Sequence, residues 1–259
     1  MYEEKNINNN TTVNVEILDE TDSTNEEAKR RIQSGFSKDF VLVAREQTKG
    51  KGRKGRSFYS PKDTGIYFTF AHFSESDLSE DLKATIASSV IPAKALKDEL
   101  GIDCKIKWVN DLYFNNKKVS GTLCEGLLKN TFGNEKNVII VGIGINISTV
   151  DFPDDISQKA GSVLDNDQIS LKDDYKDRII INLSNALFEF FKNPRLDDYL
   201  QFYSDNSLVL NKEVELSDAS GVIDRGIVEG FDEKGAIIIK NSKGITSKYD
   251  SGEISLFML

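Results

Sequence analysis

Gln47-Thr48-Lys49-Gly50-Lys51-Gly52-Arg53-Lys54-Gly55-Arg56 places three glycines and five cations in one short stretch of a 259-residue chain whose formal net charge is −9. Phe40-Val41-Leu42-Val43-Ala44 runs into it, and Phe58-Tyr59 and then Ile66-Tyr67-Phe68-Thr69-Phe70 run out of it. The flanking runs are short, β-branched and aromatic, so they read as strands, and the basic stretch reads as the loop between them. Glycine permits positive φ and lets backbone N–H groups come close to a ligand. Lys and Arg supply charge-assisted donors to phosphate or carboxylate. Such a loop is either a solvated basic turn or a local anion site. Nucleic-acid affinity rests largely on neutralising many phosphates, so an acidic chain with one basic loop argues for a small anion and against nucleic acid.

Upstream, Val13–Leu18 alternates and reads as a strand, and Glu26–Ile32 reads as a helix stopped at Gly35. Ser23 or Thr24 reads as its cap, completed as a capping box by Glu26 or Glu27. The alternative is that these hydroxyls face a polar ligand at the helix N-terminus. Residues 1–14 are polar and Asn-rich, carry no secretory pattern, and read as a disordered lead-in. No apolar run is long enough to cross a bilayer. Cys104 and Cys124 make no disulfide framework and read as small buried hydrophobes, which fits a cytoplasmic chain. A single histidine, His72, removes any Cys/His metal cluster, and a structural role is expected for it.

Downstream, Ile86, Ala93, Leu96 and Leu100 recur at helical spacing up to Gly101, with Pro92 expected to kink or divide the helix. Lys105–Gly126 follows, with a turn at Asn115-Asn116-Lys117 that predicts a hairpin. Trp108-Val109 leads into Asn110-Asp111, which is either an Asx turn or a polar pair at a strand end. Lys118 is either a solvated edge lysine or a cation returning beside Gly121, where a missing side chain lets a ligand approach. Val138–Ile147 is the most apolar run and predicts a central strand. Its Gly142-x-Gly144 has no third glycine and no following helix, so a dinucleotide fold fails. Asn146 is a turn residue or a ligand contact. Tyr175–Phe191 is helical, and a shorter helical piece follows Pro194. Beyond Leu208 come short alternating runs at 213–216, 226–231, 236–239 and 252–256, which predict a small β-barrel.

In order, Asp22-Ser23-Thr24-Asn25, Gln47-x-x-Gly50-x-Gly52-Arg53-x-Gly55-Arg56, Lys107-Trp108-Val109-Asn110-Asp111, Lys118-x-x-Gly121 and Gly142-x-Gly144-x-Asn146 resemble the motifs of biotin protein ligases over residues 15–259. The resemblance implies an α+β fold. A mixed β-sheet packed against helices, like a class II synthetase core, would span 15–207, with an SH3-like barrel at 208–259. It implies a biotin carboxylate attacking the α-phosphate of ATP, then transfer of the acyl group to a lysine of an acceptor domain. By the same resemblance, Ser23, Thr24, Asn25, Gln47, Gly50, Lys51, Gly52, Arg53, Lys118 and Gly121 bind biotin. Arg53, Arg56, Phe58, Trp108, Asn110, Asp111 and Asn146 bind ATP. Lys118, with Arg53, is the catalytic electrophile, and Asp111 holds Mg²⁺ with the phosphates. The implied partner is a biotin carboxyl carrier protein domain of a biotin-dependent carboxylase. No membrane partner is expected, and relatives include monomers and homodimers. Two departures stand out: Lys51 replaces a common Arg, and Phe58 stands near a common Trp. Only residues 1–14 precede the core, so no repressor function is expected. Lipoate ligases are the neighbouring alternative, against which the glycine-rich loop and the terminal barrel argue.

Overall fold

The computed structural model describes residues 4–74, 81–164, 174–250 and 255–258. Strand period decides which layer each side chain joins, because successive residues point to opposite faces. In β2 (Phe40–Ala44), Phe40 and Leu42 join one apolar cluster, and Val41 and Val43 join the other. The first cluster packs under α2 (Thr24–Gln33) through Ala28 and Ile32. The second lies against α3 (Asp81–Leu100) and α4 (Tyr175–Lys192). Full burial of such side chains contributes about 1.5–3 kcal/mol each.

The sheet has seven strands in the order β1-β2-β3-β7-β6-β5-β4. The other members are β1 (Asn14–Leu18), β3 (Gly65–Ser74), β4 (Lys105–Lys107), β5 (Asp111–Phe114), β6 (Lys117–Leu127) and β7 (Asn137–Asn146). Only β1 and β2 pair in parallel, so the sheet is mixed as expected, and β7 sits at its centre. The hairpin turn between β5 and β6 is Asn115-Asn116, both at positive φ. Asn tolerates that region better than most residues.

The expected disordered lead-in is corrected here. Residues Glu4–Asn9 form a helix, α1, whose Ile7 is fully buried in the main core. Asn8 donates from Nδ2 to the Val15 carbonyl and accepts from the Val15 N–H, both at 2.8 Å. The amide thus occupies the outer edge of β1, which would otherwise offer open backbone groups. At the opposite edge, Ile106 of β4 exchanges backbone bonds with Asn206 and Leu208, both at 2.8 Å. α3 also continues through Pro92 rather than dividing there. His72 plays the structural part expected of it: Nδ1 lies 2.8 Å from Asp39 Oδ2, and its ring stacks on Phe191 at 4.5 Å.

After α5 (Asp197–Asp205) comes a five-stranded antiparallel sheet in the order β11-β10-β9-β8-β12. Its strands are β8 (Glu213–Asp218), β9 (Gly221–Phe231), β10 (Ile237–Asn241), β11 (Thr246–Tyr249) and β12 (Ser255–Met258). Of the run expected at 252–256, residues 252–254 lie outside the described residues. The main apolar core continues from the seven-stranded sheet into this one through Val214, Leu216, Val228, Ile237 and Ile239.

Candidate active site

The even-numbered face of β7 explains Gly142-x-Gly144-x-Asn146. Val138 and Ile140 on that face pack beneath α2, and then the side chains shrink. A Cβ on Gly142 would lie 2.3 Å from Asn25 Oδ1, and one on Gly144 would lie 2.6 Å from Phe58 Cε1. Those two glycines let α2 and the basic loop close over the sheet while leaving a cavity of about 560 Å³, a size that suits a small ligand.

One wall is an uncharged polar network. Gln47 Oε1 accepts from Thr24 N–H at 2.8 Å and Thr24 Oγ1 at 3.1 Å, and Gln47 Nε2 donates to Ser60 Oγ at 2.9 Å. Thr69 Oγ1 sits 2.7 Å from both Thr24 Oγ1 and Asn25 Oδ1. The expected capping box is therefore not formed: Ser23 precedes the helix but makes no side-chain cap bond, and Gln47 from another element takes the first N–H. Glu26 instead pairs with Lys29 and Lys51, each at 2.8 Å, and Glu27 pairs with Arg30 and Arg31. Ser23 lines the cavity.

The same cavity also carries a cationic lining. Lys51, Arg53, Lys54, Arg56, Lys107, Lys118 and Lys159 line the cavity against only Asp111 and Asp155. The basic loop folds back on itself: Phe58 N–H donates to Gly50 O at 2.8 Å and Gly52 N–H donates to Arg56 O at 2.7 Å. Within it, Arg53–Gly55 forms a tight turn with Lys54 and Gly55 at positive φ. Arg53 Nη1 donates to Asn110 Oδ1 at 3.4 Å, and Asn110 Nδ2 donates to the Thr122 carbonyl. Asp111 Oδ1 lies 2.6 Å from Lys118 Nζ.

Lys118 reaches this wall because of an irregularity. Gly121 pairs with Asp111 and Gly144, so it faces the cavity. Three residues back along a regular strand, Lys118 would point to the other face. The β5–β6 register shifts, with Leu112 opposite Ser120 and Tyr113 opposite Lys118, so Val119 is an extra residue. A bulge of this kind re-aims side chains, and here it sends Val119 into the core and Lys118 into the cavity. The Lys118 backbone is held from behind by Lys159 O and Gly161 N–H, at 2.8 and 2.9 Å. A Cβ on Gly121 would sit 3.1 Å from Lys118 Nζ and 3.4 Å from Asp111 Oδ1. Burial holds the Lys107 ammonium below its usual pKa; Asp111 opposes the shift, and Lys118 and Arg56 add to it. Burial, with Asp111 beside it, pushes the Tyr113 phenol up to about 12.

The structure gathers Ser23, Thr24, Asn25, Gln47, Lys51, Gly52, Arg53, Arg56, Phe58, Trp108, Asn110, Asp111, Lys118, Gly121 and Asn146 around one cavity. Gly50 is the exception. It is buried behind the loop, where a Cβ would meet Phe58 O at 2.4 Å and Ser60 Oγ at 2.7 Å, so its smallness serves the fold-back. Asn25 spends its polar atoms on Thr69, Glu125 and Leu123 O, and supports the wall. Phe152, Ile156, Lys159, Leu256 and Phe257 also line the cavity and were not expected from the sequence. Phe152, Ile156 and Lys159 stand in an aperiodic loop with no local signal, and Leu256 and Phe257 stand on a terminal strand whose alternation predicts a barrel strand but no part in the cavity. Lys107 belongs to the Lys107–Asp111 motif, which by itself implies no role for it, and it lines the cavity.

Residues 17–146 match the Biotin/lipoate A/B protein ligase family, and residues 209–256 match the Biotin protein ligase C terminal domain. The chain is 30% identical over 251 residues to the bifunctional ligase/repressor BirA of Salmonella typhimurium, covering 94% of this chain and 74% of that one. It is 28% identical over 243 residues to the biotin–[acetyl-CoA-carboxylase] ligase of Paracoccus denitrificans, covering 88% and 95%. Its structure is similar to that of the biotin protein ligase from Aquifex aeolicus in complex with biotin and ATP, with TM-score 0.74, 31% identity, and 95% and 99% of the two chains covered.

Proposed function

This chain belongs to the biotin protein ligases, and from that premise we propose which of its residues perform each step. The enzyme forms biotinyl-5′-AMP from biotin and ATP and then biotinylates a carrier protein. In the first step a carboxylate oxygen of biotin bonds to the α-phosphorus and pyrophosphate leaves. In the second, a lysine amine of the acceptor bonds to the acyl carbon, AMP leaves, and the amine loses a proton. The nucleophile of the first step is already an anion, so the chain's task is to bring two anions together and stabilise the charge on the phosphate oxygens.

One observation carries this reading: an uncharged polar network and a cluster of cationic side chains line one and the same cavity of about 560 Å³. The wall of Ser23, Thr24 and Gln47 suits the neutral, hydrogen-bonding ring of biotin. Arg53 and Lys118 suit its carboxylate and the α-phosphate, with Lys118 as the catalytic electrophile. Arg56, Asn110, Asn146 and the Phe58 ring suit the nucleotide. Asp111 orients Lys118 and fits a phosphate-borne Mg²⁺, which takes one or two carboxylates and leaves its other positions to phosphate and water. Among the described residues no three or more Asp, Glu, His or Cys side chains are grouped so that they could hold a metal ion. When bound, the ion neutralises phosphate charge.

We assign residues 15–207 to catalysis and 208–259 to the C-terminal unit, and a biotin carboxyl carrier protein domain as acceptor. Among the described residues no helix is long and apolar enough to cross a membrane, and we place the enzyme in the cytoplasm. Calorimetry with biotin and with lipoate, each with and without ATP, tests the reading. Biotin should bind alone and far more tightly with ATP. Heat from lipoate alone would overturn it.

A further inference from the structure

We propose that the C-terminal unit sets the aim of Asn110 and Asp111 through a buried clamp on the preceding residues, with Trp108 and Gly235 as positioning residues. This rests on the assignment of Asp111 and Lys118 to the adenylation site. Residues 108–110 form the turn between β4 and β5, so whatever fixes Trp108 and Val109 fixes the start of the strand that carries Asp111. Trp108 is only 6% exposed, and its indole N–H donates to the Gly235 carbonyl at 3.2 Å. Gly235 lies in the β9–β10 turn of the C-terminal sheet. The Val109 carbonyl accepts twice, from Ser89 Oγ of α3 at 3.0 Å and from Tyr203 OH of α5 at 3.2 Å. Tyr203 is fully buried, and its ring meets Phe231 of β9 edge-on at 5.0 Å. The C-terminal sheet thus grips this turn once directly and once through Tyr203.

The gripping turn is itself rigid. Asp232 Oδ1 accepts from Lys234 N–H and Ala236 N–H at 3.0 Å each, and Asp232 O accepts from Gly235 N–H at 2.9 Å. Gly235 has φ +89°, and a Cβ there would lie 2.5 Å from Ile86 Cγ1 of α3. Ile86 sits one helical turn from Ser89, so α3 supports both halves of the clamp. Only a residue without a Cβ lets the carbonyl reach the indole. Downstream of the turn, Asn110 Oδ1 receives Arg53 at 3.4 Å and Asp111 holds Lys118 at 2.6 Å. A shift of the turn therefore moves an amide and a carboxylate that face the reacting groups.

Trp108→Phe removes the donor and keeps a buried ring, and Gly235→Ala moves the carbonyl without touching the cavity. In the full chain, each should lower kcat for biotin- and ATP-dependent pyrophosphate release about four- to tenfold, as expected for a displacement of a few tenths of an ångström at a reacting group. The biotin Kd should stay within twofold, with full stoichiometry. In an Asp111→Asn background each should cost less than a further twofold, because coupled sites are not additive. Full activity of both clamp variants beside an impaired Asp111→Asn would overturn the clamp alone. Additive losses in the Asp111→Asn background, or biotin affinity falling in parallel with kcat, would also overturn it. Wild-type activity of Asp111→Asn would instead overturn the site assignment on which it rests.

Discussion

Gly121→Ala isolates the geometry of the Lys118–Asp111 pair. Gly121 lies in a regular part of β6 and is not at positive φ, so an alanine meets no backbone penalty there. The added Cβ would stand 3.1 Å from Lys118 Cε and Nζ and 3.4 Å from Asp111 Oδ1. That is too close for an undisturbed contact, yet the nearest atoms are the far end of a flexible side chain. The neighbour gives by a few tenths of an ångström, and the cost in stability stays small. The cost in rate does not, because a misplacement of 1 Å is worth about 10²-fold. Scaled to a few tenths, the loss is about four- to tenfold in the rate of biotinyl-5′-AMP formation. Rapid-quench measurement under single-turnover conditions reads that step without product release. A melting temperature within about 2 °C of wild type confirms that the effect is local. A rate within twofold of wild type would show instead that the ammonium tolerates displacement from the charge, and that its exact position does not matter.

Gly142→Ala is the contrasting case: its Cβ would stand 2.3 Å from Asn25 Oδ1, a side chain fixed on both ends, so overpacking should cost about 1–3 kcal/mol in urea denaturation and weaken biotin binding. Asn8→Ala removes two backbone bonds at the β1 edge and should cost about 1–2 kcal/mol without altering biotin affinity. Lys107 has its pKa lowered by burial first, and the unfolded chain then holds more protons in the window below the ordinary lysine value. Stability therefore rises with pH through that window, and Lys107→Met should raise Tm at neutral pH by an amount that shrinks as pH approaches that value, while slowing adenylation.

Strand alternation made the central strand and the hairpin readable, because one buried face of β7 and the Asn115-Asn116 turn each carry a local signal. Gly142, Gly144 and Asn146 were readable as small residues on one face that make room for a packed helix or a ligand, but not which side chains take that room: Asn25 of α2 and Phe58 come from distant segments. Lys118 and Gly121 were visible as a pair, yet an odd spacing on a strand separates faces. Only the extra residue Val119, a property of pairing with β5, restores them to one side. The polar, Asn-rich start read as disorder because composition does not reveal that one amide can close a sheet edge. Gly50 read as a ligand contact because glycine's value to a fold-back and to a ligand leave the same mark in sequence. The lining from Phe152, Ile156 and Phe257 carries no periodic or chemical signature, since it depends on where a loop and a second sheet come to rest.

We propose that Lys118, turned inward by the bulge at Val119 and held by Asp111, stabilises the charge that develops as biotin attacks the α-phosphate. Single-turnover formation of biotinyl-5′-AMP by Lys118→Ala, at saturating biotin and ATP, tests it most directly. The rate should fall by about 10²–10³, the scale for removing one preorganised electrostatic group, with the Tm retained. A rate within threefold of wild type would contradict it.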